Sequence, residues 1–72
     1  MFIISYKKLW KLLIDRDMKK KDLIEKANIS QSSIAKLGRN ENVNTDILAK
    51  ICTALNCDLQ DIAEIQKQSK GD

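Results

Sequence analysis

Few side chains in this sequence could do covalent or acid–base chemistry, and their spacing gives them little to work with. There is no histidine, and the only cysteines are Cys52 and Cys57. A thiol nucleophile would lack an imidazole partner, and acid–base work would fall to carboxylates or lysines that no pattern gathers into a cleft. A structural zinc site takes about four ligands, so two thiols without histidine do not close one. Cys52 lies in an apolar helical stretch and Cys57 near its end, which suits small apolar filler in a reducing compartment. With 72 residues the chain is also too short to enclose much of a pocket. Neither an enzyme nor a metal or cofactor is expected.

Charge carries more information. Residues 1–40 hold ten Lys/Arg against four Asp/Glu, a net of +6, whereas residues 41–72 hold three against six, a net of −3. A basic half followed by an acidic half points to one face made for a polyanion. Lys19, Lys20 and Lys21 form the densest cluster, which taken alone reads equally as solvated helix surface.

The elements that must position these charges are helical. The residues are 43% hydrophobic, with no proline and two glycines, enough for one core in one small domain. Ser5 can cap a first helix over residues 6–16, with Leu9, Leu12 and Leu13 on its inner side and Trp10 at the edge. Met18 turns inward from the connector. The second helix, over residues 20–27, buries Leu23, Ala27 and part of Ile24. Lys19 makes a weak start for it, partly offset by Asp22 in the first turn. Asn28 offers a left-handed stop, and Ser30 caps a third helix over residues 31–37 that Gly38 ends. Ile34 and Leu37 face inward there, leaving Gln31, Ser32, Ser33, Ala35 and Lys36 on the outer faces. A polar loop over residues 39–44 follows, pinned by Val43. Asn44 then caps a fourth helix over residues 45–55, in which Ile47, Leu48, Ile51, Cys52 and Leu55 repeat at helical spacing. Asp58 caps a short fifth helix with Leu59, Ile62 and Ile65 inward. The expected fold is an all-α, five-helix bundle over residues 1–66 with a flexible tail, residues 67–72.

The informative unit is the helix pair around Asn28-Ile29-Ser30. Two helices joined by so tight a turn cross steeply and must bury Ala27, Ile29 and Ile34 together. The outer face of the second of the pair then projects from the body, bearing the short polar side chains that base edges in a major groove require. The run Leu23-(x3)-Ala27-Asn28-Ile29-Ser30-Gln31-Ser32-Ser33-Ile34-(x2)-Leu37 resembles the Cro/repressor-type helix-turn-helix family, also called the xenobiotic-response-element family. The segment Ile47-Leu48-(x2)-Ile51-Cys52-(x2)-Leu55-Asn56-Cys57 is similar to that family's fourth helix and its exit. The resemblance spans residues 6–65. Three positions depart from the pattern: Asn28 stands for a glycine, Lys19 and Lys20 for a hydroxyl cap and a glutamine, and Gly38 for an acidic residue.

The resemblance implies a lambda-repressor-like domain that binds double-stranded DNA, often as a dimer, and regulates transcription, here read as a repressor. It places Gln31 and Ser32 against base edges, with Lys36 one turn further on. Glutamine suits the N6/N7 edge of adenine and lysine the O6/N7 edge of guanine. Ser33, Lys20 and Arg39 would meet backbone phosphates, Asn40 and Asn42 would add loop contacts, and Lys19 and Lys21 further charge. One domain spans about one half-site, so a homodimer is expected, its surface formed by residues 59–65 helped by residues 2–4. No small-molecule effector is implied. The start, Met1-Phe2-Ile3-Ile4-Ser5, is too short for a signal peptide, and no apolar run approaches the ~20 residues of a membrane span, so a cytoplasmic protein is expected. The main rival is a protein-interaction module of the same fold, such as an antitoxin, anti-repressor or accessory subunit. It would expose apolar residues where Gln31, Ser32 and Lys36 stand. A third reading is sequence-blind duplex or single-strand binding; single-strand binding relies on stacking aromatics, and Phe2, Tyr6 and Trp10 all lie outside the basic motif.

Overall fold

The computed structural model describes residues 1–67, in the order β1 (Phe2–Ser5), α1 (Lys7–Asp15), α2 (Lys20–Ala27), α3 (Gln31–Gly38), α4 (Thr45–Leu55), a 3₁₀ turn (Leu59–Asp61) and β2 (Glu64–Lys67). Several helix ends follow their local signals, although Asn44 stands at the cap position of α4 without a side-chain hydrogen bond. Asn28 and Asn56 both take left-handed backbone (φ 56° and 51°), closing α2 and α4. Asparagine tolerates that region because its short amide bonds locally. Ser30 caps α3 as its hydroxyl accepts the Ser33 N–H at 3.1 Å. Asp22 takes the Lys19 N–H at 2.9 Å, which mends the weak start of α2. Around α1 the residue at the cap position is Tyr6, with Ser5 one place earlier, its hydroxyl accepting the Lys7 N–H at 3.3 Å. Gly38 does not end α3: the helix runs through it, and the left-handed stop is Asn40 at φ 56°.

One core holds the helices together. Leu9, Leu23, Leu37, Ile51, Leu55 and Ile62 are fully buried, each worth about 1.5–3 kcal/mol against exposure. Ala27, Ile29 and Ile34 are buried with them, which closes the steep α2–α3 crossing. Trp10, Met18, Val43, Leu48 and Cys52 pack half-buried against the rim. Tyr6, which the sequence marks only as the start of a helix, is 3% exposed and belongs to the core.

The five-helix, all-α expectation needs correction: there are four α-helices and a small two-stranded sheet. Asp58 caps as expected, its carboxylate accepting the Leu59 N–H at 2.7 Å, but only one 3₁₀ turn follows. Beyond Ala63 the chain extends and pairs antiparallel with β1, Ile4 opposite Ile65 and Ser5 opposite Glu64. A helix this short is marginal, whereas pairing gives the backbone groups of β1 partners and suits β-branched Ile3, Ile4 and Ile65. Ile62 is inward as expected. Leu59 and Ile65 are not, at 49% and 63% exposed, because the pleat turns Ile65 outward alongside Phe2 and Ile4. Lys67 ends β2, and residues 68–72 of the expected tail lie outside the described residues.

Candidate nucleic-acid interface

The candidate surface is built on α3, whose first turn is fixed by the Ser30 cap and whose inner side is anchored by Ile34 and Leu37. Residues three and four apart share a helix face. Ser32, Ala35, Lys36 and the following Arg39 therefore form one exposed row, with Gln31 exposed beside it at the N-terminal end. Ala35 sits mid-row and was absent from the site residues singled out by sequence. Its methyl keeps the face low and offers an apolar contact of the kind that suits a thymine methyl.

Two open grooves flank α3 and sort the remaining residues. One, of about 490 Å³, lies between α2 and α3 and gathers Lys20, Lys21, Ile24, Glu25, Gln31 and Ile34. The other, of about 230 Å³, lies against the loop before α4 and gathers Ser33, Lys36, Asn42, Val43, Asn44 and Ile47. Lys20 and Lys21 thus share a groove with Gln31, and Asn42 and Ser33 with Lys36. Lys19 lines neither groove and stands exposed at the cap of α2. Ser33 is half-buried, its hydroxyl 3.0 Å from that of Ser30, so it belongs to the cap more than to the outer row.

Three side chains have partners that the sequence did not disclose. The Lys20 ammonium lies 4.7 Å from the Trp10 ring centroid, a cation–π contact that ties α2 to α1. The Asn40 side-chain oxygen accepts the Tyr6 N–H at 3.1 Å, so Asn40 both turns the chain after α3 and receives a free donor at the start of α1. Arg39 is gripped by Glu41, Nε to Oε2 at 2.7 Å and Nη2 to Oε1 at 3.2 Å. That paired hydrogen bond raises the Arg39 pKa and holds the Glu41 carboxyl below its ordinary range, Lys36 adding to the latter by its charge. Both groups of the pair are exposed to solvent, so the pair fixes geometry more than it adds stability.

The cysteines stand apart from this surface. Both thiols are free and half-buried. Burial chiefly pushes Cys52 up to about 11 and raises Cys57 as well, so at neutral pH neither is a reactive thiolate. Among the described residues no group of three or more potential ligands is placed to hold a metal ion, and no helix is long and apolar enough to cross a membrane.

A capped, outward-facing helix seated by a tight turn on a lysine-bearing partner helix defines a helix-turn-helix nucleic-acid-binding domain. The chain belongs to the Cro/C1-type HTH DNA-binding domain family, whose model matches residues 8–68. Its structure is similar to the crystal structure of the transcriptional regulator VanUg (form II), with a TM-score of 0.88 and 55% sequence identity, covering 93% of this chain and 89% of that one. No curated protein matches the sequence.

Proposed function

We propose that the protein is a sequence-specific, double-stranded-DNA-binding transcriptional regulator that inserts α3 into the major groove and represses by occupying its operator. The observation that carries this reading is the exposed row Ser32, Ala35 and Lys36 with Gln31 beside it, set on a capped helix between two grooves. Gln31, Ser32 and Lys36 read base edges, and Ala35 gives the row its close approach. Lys20, Lys21 and Arg39 meet phosphates, with Lys19, Ser33 and Asn42 at the margins and the amide of Asn40 still able to donate. The kinship with VanUg, itself a transcriptional regulator, supports the regulatory role. The protein works by binding rather than catalysis, in the cytoplasm, and needs no small-molecule ligand.

It acts as a homodimer on a two-fold operator, since one α3 spans about one half-site. Phe2, Ile4, Leu59 and Ile65 are exposed together along the β1–β2 sheet and its preceding turn, which supports this face as the dimer surface. Selection from a random duplex pool near physiological salt tests the reading, because phosphate attraction alone is weak there. Enrichment of two inverted halves about one helical turn apart is expected. A folded protein that enriches nothing would overturn the reading and favour a protein-interaction module.

A further inference from the structure

The Arg39–Glu41 pair lies at the end of the exposed row of α3, where it has two possible consequences for binding. A carboxylate there could simply cancel a phosphate-binding charge. Alternatively, it could set the direction in which that charge is offered. Geometry adds the second to the first. A guanidinium has five N–H donors in a rigid planar fork. Glu41 engages only the Nε–H and one Nη2–H, along one side of the fork. The second Nη2–H and one Nη1–H are left along the end edge, which matches a pair of phosphate oxygens, and the other Nη1–H points back beside Cδ.

The backbone beneath the pair is also fixed. The Arg39 N–H donates to the Lys36 carbonyl at 3.1 Å, the Asn40 N–H to that of Leu37 at 3.1 Å, and the Glu41 N–H to that of Lys36 at 2.9 Å. The Asn40 side chain ties the same turn to α1 through the Tyr6 N–H. Arg39 and Glu41 therefore spring from one tightly closed turn. The ordering that a long side chain must undergo on binding is partly complete in the free protein.

Resting on the DNA-binding reading above, we infer that Glu41 is a positioning residue for DNA recognition: it holds Arg39 side-on, so that the guanidinium meets one backbone phosphate end-on and fixes the register of α3 in the groove. Phosphate contacts set register without themselves reading sequence. Glu41 then serves specificity twice. It orients the clamp on the preferred duplex, and it screens Arg39 from indiscriminate attraction to any duplex.

The test compares the wild type with Glu41→Gln and Arg39→Lys on the duplex selected from the random pool and on a scrambled one, across a salt series. Circular dichroism and Trp10 fluorescence first establish that each variant is folded. For Glu41→Gln, binding to the scrambled duplex should tighten and its salt slope steepen by about one counterion, roughly a threefold effect between 50 and 200 mM salt. Binding to the selected duplex should not share that gain, so the preference ratio should fall by about threefold or more. Arg39→Lys keeps the charge but loses the fork, and should also lower the ratio. Two results would overturn the inference while leaving the DNA-binding reading intact: an unchanged slope and ratio, or an equal gain on both duplexes. A wild-type protein with no preferred duplex would overturn both.

Discussion

Lys20 shows how a residue marked in the sequence only by its charge acquires a defined place. It lies in a run of three lysines, and its ammonium is held against Trp10 at the mouth of the α2–α3 groove. Replacing Lys20 with Ala should weaken all duplexes alike and lower the salt slope by about one unit, read in binding isotherms at several salt concentrations. Trp10 is the only tryptophan, so its fluorescence should change when duplex is added and the ammonium is drawn to a phosphate. The cysteines give a different residue-scale prediction. Because Cys52 is pushed from an ordinary 9.0 to about 11, the unfolded chain ionises first. Stability should hold below pH 9 and fall as pH rises toward 11, with Tyr6, raised above its ordinary 10.0, adding the same sign. Denaturant midpoints at neutral and alkaline pH measure this. An alkaline rise in stability would contradict it. Side-chain identity gave away the outer row of α3, but not the partners of Asn40 or Arg39, which depend on a contact 34 positions away and on the shape of one turn.

At the scale of elements, the helix-turn-helix was legible because its signals are local. Asn28, Ser30 and the apolar spacing around them each act within one or two turns. The same locality makes their loss predictable. Ser30→Ala should cost about 1 kcal/mol of stability, and Asn28→Ala about 1–2 kcal/mol, whereas Asn28→Gly should be close to neutral. Thermal or denaturant unfolding measures all three, and a harmless Ser30→Ala would show that the cap does not hold the start of α3. The fifth helix failed as an expectation for the opposite reason. Asp58 and the 3–4 spacing of Leu59, Ile62 and Ile65 are true local signals, and the first turn obeys them. What overrides them is pairing with β1, roughly sixty residues away in sequence. In the sequence, Phe2, Ile3 and Ile4 read as an apolar start that helps a dimer surface, not as a strand. Nothing near Glu64 says that its backbone has a partner, so strand β2 could not be read from its own neighbourhood. The buried place of Tyr6 follows from the same closure, since β1 delivers the chain directly into the core.

Over the whole molecule, the basic row and the main group of exposed apolar side chains occupy different elements. The row on α3 and the lysines of α2 form the basic side, whereas Phe2, Ile4, Leu59 and Ile65 lie on the sheet and its turn with Asp58 and Glu64 nearby. A two-stranded sheet is marginally stable by itself, and an exposed apolar face on it invites a second copy. If this face joins two protomers, Ile65→Lys should abolish concentration-dependent dimerisation in sedimentation while changing monomer stability by no more than about 0.5 kcal/mol. Affinity for a two-fold duplex should then fall more than affinity for a single half-site. A Lys variant that still dimerises would move the interface elsewhere.

The central claim, that α3 reads base edges, is tested most directly by repeating the duplex selection with Lys36→Ala beside the wild type. The wild-type motif should lose its preference at one base position in each half while the other positions persist, a loss of about 1–3 kcal/mol of discrimination there. A folded Lys36→Ala variant that selects the wild-type motif unchanged would contradict the assignment of that helix face as the reading surface.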